Sequence, residues 1–115
     1  MRFATDIFLL ALANGIDIII NKKTMDDNGV WIFNGLNGRF PSGVFTSKGL
    51  ADSWIKENRL SGVLTLYPIN TGVYEWAINQ NYFVAKKESE SSPDFIQCFT
   101  SGSQEHYHYE NGELE

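Results

Sequence analysis

The period of the hydrophobic positions changes several times along the chain, and each change marks an element. Residues 7–13 (IFLLALA) are apolar throughout, with Asp6 before them and Asn14-Gly15 after. Thr5 or Asp6 can cap a helix start, and Asn-Gly can end one in the left-handed conformation, so the pattern predicts a helix there. Residues 16–20 (IDIII) are β-branched and bounded by turn residues, which predicts a short strand. Residues 21–29 (NKKTMDDNG) are polar with no apolar period. They divide the chain into an apolar N-terminal extension, residues 1–24, and a compact domain, residues 25–115, whose core is expected to start near Val30.

Residues 30–33 (VWIF) read as a strand and residues 34–38 (NGLNG) as turn chemistry. Residues 39–46 (RFPSGVFT) return as a second strand that Pro41 breaks, bulges or confines to an edge. Ser47 opens a helix to Arg59 with Leu50, Ala51, Trp54 and Ile55 on one stripe, and Ser61-Gly62 closes that unit. Residues 63–67 (VLTLY) form a third strand, stopped by Pro68. Residues 72–81 predict a helix in which Val73 pairs with Ala77 and Tyr74 with Ile78 at i, i+4. Ser92-Pro93-Asp94 is a helix start of serine cap, proline and acid, followed by a stripe of Phe95, Ile96 and Phe99 and closed by Gly102. Residues 104–110 (QEHYHYE) alternate and end at Asn111-Gly112, which makes them the last strand. The fold class is α+β: one small, mostly antiparallel sheet with helices packed on one face. Trp31, Trp54 and Trp76 are expected to meet in a single core with Ile55, Leu64, Leu66, Phe95 and Phe99.

Composition narrows the function classes. At 115 residues the chain holds one ordinary domain, large enough to fold without a metal or disulfide staple. A single cysteine, Cys98, rules out an internal disulfide and fits a reducing, cytoplasmic setting. The apolar run at residues 7–13 is too short for a bilayer span and too interrupted for a secretory signal, so no membrane role is expected. The net charge is -5, and it is unevenly placed. From Glu88 onward the chain carries Glu88, Glu90, Asp94, Glu105, Glu110, Glu113 and Glu115 with no Lys or Arg. Such a segment repels nucleic acid and anionic lipid and attracts a basic partner.

The ordered blocks VWIFNG, RFPSGVFTS, AxxWI, LSGVLTLYP, GVYEWAI, SSPDFIQCF and SQEHYHYENG resemble a small uncharacterised bacterial domain family. The resemblance covers most of the chain after Asn28 and leaves out residues 1–24. It implies a fold and a bacterial cytoplasmic setting, with no catalytic residue to carry over.

The residues themselves offer two chemistries. His106 and His108 are the only histidines, and on a strand they share a face with Gln104 and Glu110. Two imidazoles and a carboxylate, His106, His108 and Glu110, could ligate a divalent metal, though further ligands must come from elsewhere. Cys98 has no local base and is read as an inert buried thiol. Neither a phosphate-cradling loop nor a basic aromatic patch is present, so no catalytic residue is assigned and nucleic acid is excluded as a partner. The leading expectation is a protein-binding module of the immunity type, an inhibitor of a basic toxin or enzyme. Its partner-binding residues would be Glu105, Tyr107, Tyr109, Glu110 and Glu113. The alternatives are a metal-binding protein or enzyme built on the histidines, and a homo-oligomer of structural role that pairs through the N-terminal segment.

Overall fold

The computed structural model describes residues 29–115. The helix expected over residues 7–13, the strand over 16–20 and the whole extension 1–24 lie outside them. The described elements are β1 (Gly29–Gly35), β2 (Gly43–Phe45), α1 (Lys48–Asn58), β3 (Gly62–Pro68), α2 (Val73–Asn79), a 3-10 turn (Glu88–Ser91), α3 (Pro93–Gln97), β4 (His106–Glu110) and β5 (Glu113–Leu114). The strands form one antiparallel sheet in the order β2-β1-β3-β4-β5, an α+β arrangement.

Register decides what faces the core. Trp31 lies opposite Phe45 and Leu66, Phe33 opposite Leu64, Leu64 opposite Tyr107, and Gly62 opposite Tyr109. Directly opposed residues of antiparallel strands share a face. One face of the sheet therefore carries Phe45, Trp31, Phe33, Leu64, Leu66, Tyr107 and Tyr109. Helix α1 lays Ala51 and Ile55 on it, and together with Trp31, Phe33, Leu64 and Tyr109 they form the buried cluster. Trp54 closes one side, edge-on to Phe33 at 5.7 Å and tilted on Phe45 at 5.2 Å. By the same alternation the opposite face carries Val30, Ile32, Val44, Val63, Thr65, Tyr67, His106 and His108.

The termini of α1 explain its length. Leu50 N donates to Ser47 Oγ at 3.2 Å, the expected serine cap. The helix ends where the sequence placed its end: Asn58 is its last residue and Arg59 caps it in the left-handed conformation (φ 56°). Arg59 N donates to the Lys56 carbonyl and Leu60 N to that of Ile55, at 3.2 and 3.0 Å, which satisfies the last carbonyls. A non-glycine residue in that conformation costs about 1–2 kcal/mol, and glycine gives back part of this through unfolded-chain entropy. Arg59→Gly is therefore expected to stabilise the domain by about 0.5–1 kcal/mol in urea denaturation; a lower midpoint would contradict this closure. Gly62 has a different role. It crosses β1 so closely that a Cβ would collide with the Asn34 carbonyl oxygen.

Several expectations are corrected. The aromatic residues do not form a single core. Trp76 pairs with Tyr82 at 5.5 Å, while Phe95 and Phe99 join Tyr74 and Phe83, with ring centroids between 5.0 and 6.2 Å apart. The α2–α3 stretch builds its own half-buried aromatic cluster. Tyr74 anchors it by donating its hydroxyl to the Glu90 carbonyl at 2.7 Å. On α2 the buried pair is Tyr74 and Ala77, at i, i+3, and Ile78 is exposed. Leu50 drops out of the α1 stripe and is also exposed. The second strand shrinks to three residues at the sheet edge, after Pro41. Helix α3 spans only five residues and leaves Cys98 exposed at its end, not buried inside it. Two elements were not anticipated, the 3-10 turn and β5.

Candidate functional site

The acidic C-terminal hairpin is fixed to the domain at its turn. Asn111 and Gly112 have φ of 51° and 84°, the pair of left-handed conformations that a tight two-residue hairpin needs. Asn111 N donates to Ser61 Oγ at 2.9 Å and Gly112 N to the Leu60 carbonyl at 2.8 Å. The turn thus rests on the end of α1, and β5 pairs back with Tyr109 opposite Leu114 and Glu110 opposite Glu113. Two exposed carboxylates directly across a strand pair repel, and such a pair works against the fold. A cationic partner would relieve it.

The two tyrosines of β4 point toward α1, away from the histidines. Tyr109 is buried at 3% exposure and donates its hydroxyl to Asp52 Oδ1 at 2.8 Å. Burial, with the Asp52 carboxylate it bonds, raises its pKa well above the ordinary phenol value. Its side chain is a core group and offers no contact surface. Tyr109→Phe is expected to cost about 1.5–3 kcal/mol at neutral pH, the size of a bond to a charged acceptor. The neutral phenol is favoured in the folded state, so the wild-type advantage is complete below pH 10 and fades as pH rises further. Urea denaturation of both proteins at neutral and strongly alkaline pH checks this; equal stabilities at neutral pH would sink it.

Tyr107 is half-buried and donates its hydroxyl to Glu105 Oε2 at 2.5 Å. That bond is the main cause of its raised pKa, with burial second. Lys48 Nζ lies over the Tyr107 ring, 4.4 Å from its centroid, and Trp31 flanks it at 6.0 Å. Glu105 is thereby held in place, and its own carbonyl accepts from Leu66 N at 2.9 Å, extending the β3–β4 ladder. Of the five expected partner-binding residues, Glu105, Glu110 and Glu113 are exposed.

His106 and His108 share the opposite face, with ring centroids 5.3 Å apart. The His106 Nδ1–H donates to the Gln104 carbonyl at 2.7 Å. Gln104 does not stand beside them at the surface: it is buried and its amide donates to the Leu66 carbonyl at 3.1 Å. Among the described residues no three His, Cys, Asp or Glu side chains converge as a metal ion would need. His106, His108 and Glu110 thus share a face without forming a closed ligand set.

A cleft of about 310 Å³ lies on the α1 side of the sheet, where α2 approaches β3. Leu66, Pro68, Trp76, Gln80, Ser103 and Glu105 line it. Of these, only Glu105 is a candidate binding residue in the sequence, where Leu66 and Trp76 read as core and Pro68 as a strand stop. The others come from β3, α2 and the loop before β4, and no local motif joins them.

Among the described residues no helix is long and apolar enough to cross a membrane. A family described as a domain of unknown function (DUF7710) matches residues 30–115. No curated protein and no solved structure matches the chain.

Proposed function

The chain belongs to this family of unknown function, and from its C-terminal hairpin we propose that the domain binds a basic protein partner. The carrying observation is Glu110 directly opposite Glu113 at an exposed sheet end, in a segment with no Lys or Arg from Glu88 onward. Side-chain repulsion across a strand pair is a stability cost that a cationic partner would turn into affinity and fast encounter. We place the domain in a reducing bacterial cytoplasm as an immunity-type inhibitor of a basic toxin or enzyme. The lone thiol and the small acidic format support that setting. Affinity capture from the native host with the full chain as bait, followed by mass spectrometry, tests the reading. It expects a basic protein retained by the wild type and lost from Glu110→Lys/Glu113→Lys. A retained set that is acidic, or identical for both baits, would refute it.

A further inference from the structure

The cleft between α2 and the start of β4 has the parts of a receptor for a single cationic side chain. Its volume, about 310 Å³, is at the small end of ligand sites and suits one long side chain better than a cofactor. Leu66, Pro68 and Trp76 give the cleft apolar lining against which a methylene stem can pack, and Trp76 brings an aromatic ring to it. Glu105 supplies the countercharge, and Gln80 and Ser103 add polar side chains to the lining.

The acid is also positioned in advance. Its backbone is tied to β3 through Leu66 N, and its Oε2 accepts the Tyr107 hydroxyl. Tyr107 is in turn packed against Trp31 and capped by Lys48. Trp76 is braced by Tyr82 at 5.5 Å. Groups fixed before binding lose little entropy on meeting a ligand.

From this arrangement we infer that the cleft takes an arginine side chain of the basic partner. Arginine is favoured over lysine because its planar guanidinium can stack on Trp76 while donating in a fork to Glu105 and sideways to Gln80 and Ser103. The inference rests on the proposed binding of a basic partner and adds a specific anchor to it, separate from the Glu110–Glu113 pair.

The test titrates the ¹⁵N-labelled full chain with the peptide acetyl-Gly-Arg-Gly-amide, using acetyl-Gly-Gln-Gly-amide and acetyl-Gly-Lys-Gly-amide as controls. The arginine peptide should move the Trp76 indole N–H and the Gln80 side-chain amide saturably, the lysine peptide should bind more weakly, and the glutamine peptide should leave both signals in place. Glu105→Gln, which keeps the shape of the side chain, should weaken the arginine peptide about tenfold. Trp76→Ala should do the same, in a protein whose remaining amide signals keep their folded dispersion. Shifts that are equal for the arginine and glutamine peptides, or that survive Glu105→Gln, would overturn the inference. So would a captured partner that Glu110→Lys/Glu113→Lys abolishes but Glu105→Gln and Trp76→Ala leave intact, and the proposed function would then stand without it. A captured partner indifferent to all of these variants would remove both.

Discussion

Phe33→Ala is expected to cost about 3–5 kcal/mol, the largest loss of any single side-chain truncation in the domain. Phe33 is 1% exposed and sits where β1, the sheet centre and α1 converge. It lies opposite Leu64 in the register and meets the Trp54 edge. Its neighbours are held by the sheet ladder on one side and the capped helix on the other, so they cannot collapse into the space it leaves. A domain of this size has about 5–15 kcal/mol of total stability, so the variant should be near the edge of folding. Phe99→Ala, in the half-buried cluster around Tyr74, should cost clearly less because solvent can fill the gap. Urea denaturation of both variants measures the difference. A Phe33→Ala loss below about 1 kcal/mol would mean that the core lies elsewhere.

Charge reversal at Glu105, Glu110 and Glu113 together is expected to slow association with the basic partner by on the order of 100-fold. All three are exposed, so their replacement by lysine leaves the buried cluster untouched and even exchanges one repulsion for another across the β4–β5 pair. The dissociation rate should change less, apart from the share carried by Glu105 in the cleft, because steering acts on the encounter and desolvated anchors act on residence. Stopped-flow fluorescence with the captured partner reads both rates. Equal association rates for the wild type and the triple variant would show that the hairpin does not meet the partner.

The α+β class and most elements were legible because their signals are local. Ser47 as a cap, Pro93 after Ser92, and the alternation of residues 104–110 each act over a few residues; the structure uses both caps and starts the strand at His106. The failures came where long-range packing decides. Nothing local distinguishes Trp76 from Trp54, although Trp54 packs on Phe33 and Phe45 while Trp76 pairs with Tyr82. Cys98 sits in an apolar run, yet α3 stops at Gln97 and exposes it. β5 was missed although Asn111-Gly112 is a strong hairpin turn, because just three residues follow it in the sequence and an apolar period cannot show in so few. At the site, the acids were visible as a charge asymmetry. The opposition of Glu110 to Glu113 and the burial of Tyr109 depend on register, and the cleft depends on three distant segments.

In the proposed function the acidic hairpin draws in a basic partner by its charge. The most direct measurement is the association rate of the full chain with the captured partner as a function of ionic strength. Exposed charges are screened beyond a Debye length of about 8–10 Å at physiological salt. The rate should fall steeply between low and physiological salt for the wild type, with a flat or inverted dependence for Glu105→Lys/Glu110→Lys/Glu113→Lys. A wild-type rate indifferent to salt would contradict it.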